Sequence, residues 1–125
     1  MMNSEKQVRA FRGATQLAED TATQMASAVT ELLREIMNQN GLEDGDLISV
    51  LFTATQDLVS DFPATGARSM GFGDVPLMCA AEIAVVGSLP RCVRVMLHAR
   101  TTRERGDIKH IYLRGASVLR KDLQK

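Results

Sequence analysis

At residues 92–97 the chain reads Cys92-Val93-Arg94-Val95-Met96-Leu97, an apolar run that holds one arginine. Its β-branched and apolar residues predict a buried strand, which we place at Val93–Arg100. A guanidinium keeps its charge in such a place, so Arg94 needs an anion or a strong hydrogen-bond acceptor. Arg94 is therefore either an anion-binding residue or one half of a structural ion pair.

The two faces of this strand differ in character, because side chains alternate along a strand. One face is apolar and consists of Val93, Val95, Leu97 and Ala99. The other face mixes Cys92, Arg94, Met96 and His98. The mixed face fits neither an ordinary core nor an ordinary solvent face, so it predicts a subunit interface or a cleft.

A second arginine, Arg12, ends the predicted strand Val8–Arg12, just before a predicted turn at Gly13-Ala14-Thr15. Strand ends often carry solvated arginines, and that alternative stays open for Arg12. Two strand arginines in one small neutral chain nevertheless predict a pocket for an anionic small molecule.

The remaining elements predict an α+β fold: a mixed β-sheet with one long helix and one short helix. The long helix is expected at Thr21–Asn38, with capping-box spacing at its start and a stop at Asn40-Gly41. The short helix, Ala64–Met70, follows Pro63. The other predicted segments are strands at Leu47–Ala54, Val75–Cys79 and Ile108–Leu113, and a polar, mobile tail over residues 118–125.

Composition narrows the class of protein. The 125 residues carry 15 basic and 15 acidic side chains, one Tyr and no Trp. That balance argues against a nucleic-acid surface, which needs excess positive charge and stacking aromatics. No apolar run is long enough for a membrane span, and the N-terminus does not look like a signal peptide. One cytoplasmic domain, residues 1–125, is therefore expected.

Other reactive side chains give weaker signals. Cys79 and Glu82 lie close together after a predicted strand, but thiol catalysis needs a base beside the cysteine. The two histidines, His98 and His110, lie on strands and show no metal-ligand spacing with the cysteines. Tyr112 is interpreted as a packing residue whose hydroxyl reaches solvent. Glu82 is interpreted as either a surface carboxylate or an acceptor of a hydrogen bond from a substrate hydroxyl.

Taken together, these segments resemble the small barrel-type chorismate mutases, over roughly residues 8–123. The matching pieces, in order, are Arg12-Gly13-Ala14-Thr15, Thr53-Ala54-Thr55-Gln56-Asp57-Leu58, Asp61-Phe62-Pro63-Ala64, Val75-Pro76-Leu77-Met78-Cys79, Glu82, Cys92-Val93-Arg94-Val95-Met96, His110-Ile111-Tyr112-Leu113 and Ala116-Ser117-Val118-Leu119-Arg120. Each piece alone is weak evidence for this family, but the order and spacing of all the pieces are specific to it.

The resemblance implies rearrangement of chorismate to prephenate, the committed step from the shikimate pathway toward phenylalanine and tyrosine, without a cofactor or metal. It implies that Arg94 is the catalytic residue at the ether oxygen. The substrate-binding residues that it implies are Arg12 and Tyr112 at the enolpyruvyl carboxylate, Glu82 with Cys79 at the ring hydroxyl, Phe62, Ala64 and Met78 on the opposing wall, Arg68 near the entrance, and Leu119 and Arg120 in a closing tail.

The resemblance also implies a homotrimer, a pseudo α/β-barrel with active sites at the subunit interfaces. It further implies that Glu82 comes from one chain, while Arg12, Arg94 and Tyr112 come from the next. One departure is Thr65, where the family pattern often has a lysine near the ring carboxylate. The alternative is a trimeric imine-deaminase-like or ligand-binding protein that grips a small carboxylate, or a small interaction module in which Arg94 is structural.

Overall fold

Strand β4, Cys92–Thr101, is the middle strand of a five-stranded sheet in the computed structural model, which describes residues 5–120. The other strands are β1 at Gln7–Gln16, β2 at Leu47–Ala54, β3 at Leu77–Ala81 and β5 at Ile111–Tyr112, in the order β3-β2-β4-β1-β5. β4 pairs antiparallel with β1 and β2, while the edge strands β3 and β5 pair parallel. The predicted mixed sheet is confirmed.

Within the described residues, two α-helices accompany the sheet, α1 at Ala22–Asn40 and α2 at Pro63–Ser69. Short 3₁₀ turns lie at Asp44–Asp46, Arg105–Asp107 and Arg114–Val118. The predicted α+β class with one long and one short helix is therefore confirmed. None of the helices within residues 5–120 has the length and apolar character needed to cross a membrane.

Helix α1 buries its apolar stripe against one face of the sheet. The stripe consists of Met25, Val29, Leu32, Leu33 and Ile36, each at most 1% exposed. These side chains meet the apolar face of β4, where Val93, Leu97 and Ala99 are 0% exposed. Because burial of apolar area drives this contact, the helix fixes which face of β4 is core and leaves the mixed face outside.

The ends of α1 are set by local chemistry. The Thr21 hydroxyl accepts the Gln24 backbone N–H, as its capping-box spacing predicts. The Gln24 side chain accepts from Glu19 instead of closing the box on Thr21. At the other end, the helix ends at Asn40, two residues past the predicted Asn38. The buried Asn40 side chain holds this last turn, because its Nδ2 donates a hydrogen bond to Lys109 O and its Oδ1 accepts one from the Lys109 backbone N–H.

The predicted turn at Gly13-Ala14-Thr15 is wrong, because β1 continues through it to Gln16. Ala14 and Thr15 are both 0% exposed. A Cβ at Gly13 would lie 2.9 Å from the Ile111 carbonyl oxygen and 2.9 Å from Ile36 Cδ1. The small residue thus serves close packing between helix and sheet, and not a change of chain direction.

Two edge strands were also placed wrongly. β3 starts two residues later than predicted, at Leu77, and β5 is two residues long instead of six. Residues Arg105–Asp107 form a 3₁₀ turn, and buried Ile108 follows it outside any strand. Edge strands have only one hydrogen-bonding neighbour, so side-chain pattern fixes their limits poorly. Of the predicted mobile tail, residues 121–125 lie outside the described residues.

Candidate active site

The mixed face of β4 lies on the side of the sheet opposite both helices. Residues paired across strands share a face, so the register shows what surrounds Arg94. Arg94 pairs with Ala14 of β1 and Thr53 of β2. Met96, two residues on, pairs with Arg12 of β1. Two of the predicted site arginines are therefore diagonal neighbours on one face.

A cavity of about 280 Å³ opens on this face. Its lining residues are Arg12, Gly13, Leu51, Thr53, Glu82, Arg94, Val95, Met96, Tyr112 and Arg120. Among the residues predicted for the site, the structure thus brings Arg12, Glu82, Arg94, Tyr112 and Arg120 into one cavity. Among the described lining residues, three guanidinium groups face one carboxylate, and that balance suits a small dianion.

The burial predicted for Arg94 is wrong for a single chain, in which 49% of its side chain is exposed. Both helices cover the other face of the sheet and leave this guanidinium on the open face. Its Nε lies 3.4 Å from Oε2 of Glu82, whose side chain is 22% exposed. Arg94 thus forms an ion pair with Glu82 and is half-exposed in the cavity.

Glu82 lies in the same cavity as Arg94 of its own chain, so the expectation that the two come from different chains is wrong. The physical reason is the parallel pairing of β3 with β2, which carries Glu82 alongside the end of β2. Its backbone N–H donates to Ala54 O at 2.9 Å, and its carbonyl accepts from Gln56 Nε2 at 3.1 Å. The Thr53 hydroxyl donates to Glu82 Oε2.

Tyr112 reaches the cavity through β5, which pairs with β1 so that Tyr112 lies beside Ala14. His110, just before this short strand, links it to β1, because its Nδ1 accepts a hydrogen bond from the Arg12 backbone N–H at 3.0 Å. His110 must be neutral at Nδ1 to accept this bond. Burial, and then the charges of Arg12 and Arg120, hold the pKa of His110 below its ordinary value of 6.5.

We expect His110 to make the protein less stable in mild acid. The unfolded chain takes up this proton near pH 6.5 and the folded chain only at lower pH. Between these values the unfolded state binds more protons, so the free energy of unfolding falls as the pH drops from 6.5 through the folded pKa. Urea midpoints between about pH 7 and 5 measure this slope.

The matched variant is His110→Gln, which keeps an acceptor for the Arg12 N–H and removes the titration. Its urea midpoint should fall less steeply with acid than that of the wild type. Asp20 and Asp46, whose hydrogen bonds lower their pKa values, are present in both proteins and cancel in the comparison. Equal slopes for the two proteins would contradict the role of His110.

The other predicted site residues lie outside this cavity within one chain. Phe62 and Cys79 line a second cavity of about 420 Å³ beside the start of α2. Ala64 is buried in the core at 5% exposure, and Arg68 is exposed on α2. The remaining two are Met78, 68% exposed on β3, and Leu119, which packs beside Ala14, Cys92 and Ala116.

Thr53 and Leu51 line the cavity and were missed as site residues. The available signal for Thr53 was a polar residue in the otherwise apolar strand Leu47–Ala54. This signal points to the site only when the register of β2 against β4 is known, because that register places Thr53 opposite Arg94. Sequence alone does not give that register, so it assigns Thr53 no role.

The sheet, its two helices on one face and the arginine-rich cavity on the other define a small α+β protein with a site for an anionic molecule. The chorismate mutase type I family model matches residues 8–123. The chain is 43% identical over 118 residues to chorismate mutase AroH of Thermus thermophilus, covering 94% of this chain and 97% of that protein. With its Bacillus subtilis (strain 168) counterpart it shares 37% identity over 117 residues, covering 93% and 92%.

A solved structure, a chorismate mutase from Clostridium thermocellum, superposes with a TM-score of 0.86 at 48% identity. The match covers 88% of this chain and 98% of that one. The chain belongs to the chorismate mutase type I family.

Proposed function

We propose that this enzyme converts chorismate to prephenate in the cavity on the open face of its sheet, with Arg94 as the catalytic residue. The observation that supports this most is the meeting of Arg12, Glu82, Arg94 and Tyr112 in that one cavity. These residues come from β1, β4, β5 and the segment after β3. Four separated segments converge on a site whose charges fit a dianion with one hydroxyl.

The rearrangement breaks a carbon–oxygen bond while a carbon–carbon bond forms within one molecule. It needs no nucleophile, base or metal, so the protein has two tasks. It holds the flexible substrate in its reactive conformer, which lowers the entropic part of the barrier. It also places fixed positive charge where the ether oxygen becomes negative, and one such donor is worth roughly 3–4 kcal/mol.

Each side chain then has a role that its position supports. Arg94, at the centre of the sheet, donates to the ether oxygen with a rigid and permanently charged group. Arg12 and Tyr112, on neighbouring strands, bind the enolpyruvyl carboxylate. Glu82 accepts a hydrogen bond from the ring hydroxyl. Arg120, which the resemblance implies for a closing tail, adds a further positive charge to the lining of the cavity.

A homotrimer would close this site. A single chain leaves large apolar side chains exposed around the open face and its edges, among them Leu51 at 38%, Phe62 at 65%, Met78 at 68% and Ile83 at 83%. Exposed apolar surface of this kind favours association. We propose that the cavity of Phe62 and Cys79 on one chain faces the arginine cavity of the next.

Two walls would then form each active site. We name the first the arginine wall (Arg12, Thr53, Glu82, Arg94, Tyr112) and the second the Phe62 wall (Phe62, Cys79). Closure by a neighbouring chain would remove water from Arg94 and strengthen its interaction with the ether oxygen. We further propose a place in aromatic amino-acid biosynthesis in the cytoplasm, where two free cysteines fit a reducing compartment.

The test is the loss of chorismate absorbance with purified protein, followed by conversion of the product to phenylpyruvate in acid. The enzyme should consume chorismate with saturation kinetics and give phenylpyruvate in equal amount. Binding of small carboxylates without turnover would instead support the imine-deaminase-like or ligand-binding alternative. Absence of both binding and turnover would leave Arg94 as a structural residue.

We expect kcat to be nearly flat between about pH 6 and 8, because the rearrangement transfers no proton. Neither His98 nor His110 is among the described residues that line the cavity, and burial lowers the pKa of His110 below its ordinary value of 6.5. A pH–rate profile at saturating chorismate measures the dependence. A sharp bell near neutrality would reveal general acid–base catalysis and contradict the proposed chemistry.

A further inference from the structure

We propose that Thr53 is a positioning residue, which controls how strongly Glu82 pairs with Arg94. The inference rests on the proposed function of the cavity. One carboxylate oxygen, Glu82 Oε2, accepts a hydrogen bond from the Thr53 hydroxyl and also lies 3.4 Å from Arg94 Nε. Thr53 therefore competes with Arg94 for the same acceptor.

The backbone makes this competition possible. Thr53 lies directly opposite Arg94 in the antiparallel pairing of β2 and β4, so both side chains rise from the same face. The main chain of Glu82 is held by Ala54 O on one side and by the Gln56 amide on the other. With its backbone anchored twice, the Glu82 side chain has few ways to move, and its partners decide its position.

The competition matters for the reaction. An arginine that is strongly neutralised by its own carboxylate offers less charge to the ether oxygen. The Thr53 hydroxyl occupies Oε2 and keeps the ion pair long, which leaves Arg94 available to substrate. The same bond fixes the carboxylate so that Oε1 is the oxygen to which the ring hydroxyl would donate.

Thr53→Val removes the hydroxyl with little change of volume and suits a β-strand. We expect Glu82 to move onto Arg94 and kcat to fall about tenfold, the value of one charge-assisted hydrogen bond. KM should change less, because the contacts to the carboxylates stay. Thr53→Ser restores the hydroxyl and should restore most of kcat.

The matched control is Thr15→Val, the same substitution in the same sheet, on the helix side. Thr15 is 0% exposed, and within the described part of the chain its hydroxyl has no hydrogen-bond partner. This variant should keep kcat and KM at wild-type values. It separates the effect of losing the Thr53–Glu82 bond from the general effect of a valine in the sheet.

A second readout does not depend on turnover. The NMR signal of the Arg94 Nε–H in the ligand-free protein should move downfield in Thr53→Val, as its 3.4 Å contact with Glu82 Oε2 shortens to a hydrogen bond, and return in Thr53→Ser. An unchanged signal together with unchanged kcat would overturn the role of Thr53. A wild-type protein without mutase activity would refute the proposed function instead, while the NMR signal would still test the competition.

Discussion

Replacement of Arg94 by alanine is expected to lower kcat by about two to three decades, because it removes the preorganised donor at the ether oxygen. KM should rise less than kcat falls, since Arg12 and Tyr112 still hold a carboxylate. Stopped-time assays with a large excess of enzyme would quantify the residual rate. A loss below tenfold would contradict the assignment of the main electrostatic role to Arg94.

The fold should survive this change. Half of the Arg94 side chain is exposed in the single chain, so its removal leaves no cavity in the core. Glu82 loses an ion-pair partner but keeps its hydrogen bond from Thr53 and its backbone bond to Ala54. Circular dichroism and the assembly size should match the wild type. A collapse of either would mean that the loss of rate reports unfolding and not catalysis.

Activity is expected to reappear when two inactive proteins that carry defects in different walls are unfolded and refolded together. One is Arg94→Ala, in the arginine wall. The other is Phe62→Asp, which puts a carboxylate opposite a dianionic substrate and should leave the fold of the single chain intact, because Phe62 is 65% exposed there. In a cyclic trimer with heterologous interfaces, about a quarter of the sites should combine two intact walls.

The control for this experiment is a mixture of Glu82→Ala with Arg94→Ala. The two residues lie in one wall of one chain, with Nε and Oε2 3.4 Å apart, so no assembly restores a complete arginine wall. This pair should stay inactive. Recovery in the control, or none in the Arg94→Ala and Phe62→Asp mixture despite mixed trimers, would overturn the shared-site arrangement.

The alternation of apolar and polar residues made the centre of the fold predictable. The two faces of β4 and the buried stripe of α1 follow directly from burial, and both agree with the structure. The identity of the arginines was also informative, because an arginine in a strand is costly without a partner. The two arginines predicted from this cost, Arg12 and Arg94, line one cavity in the structure.

What sequence could not supply was the relation between segments. Gly13 looked like a turn, because only the packed structure shows the Ile111 carbonyl and Ile36 where its side chain would be. Glu82 was assigned to a different chain from Arg94, since the parallel pairing of β2 and β3 leaves no mark in the local pattern. The role of Thr53 depends on the same long-range register.

The most direct test of the central claim is kcat of Arg94→Lys, measured at saturating chorismate beside wild type and Arg94→Ala. Lysine keeps the positive charge but replaces the rigid guanidinium with a compact ammonium on a flexible stem. If catalysis depends on a fixed, oriented charge at the ether oxygen, the lysine variant should turn over about as slowly as the alanine variant. A lysine variant with near wild-type kcat would show that charge without this geometry suffices, and the account would be wrong.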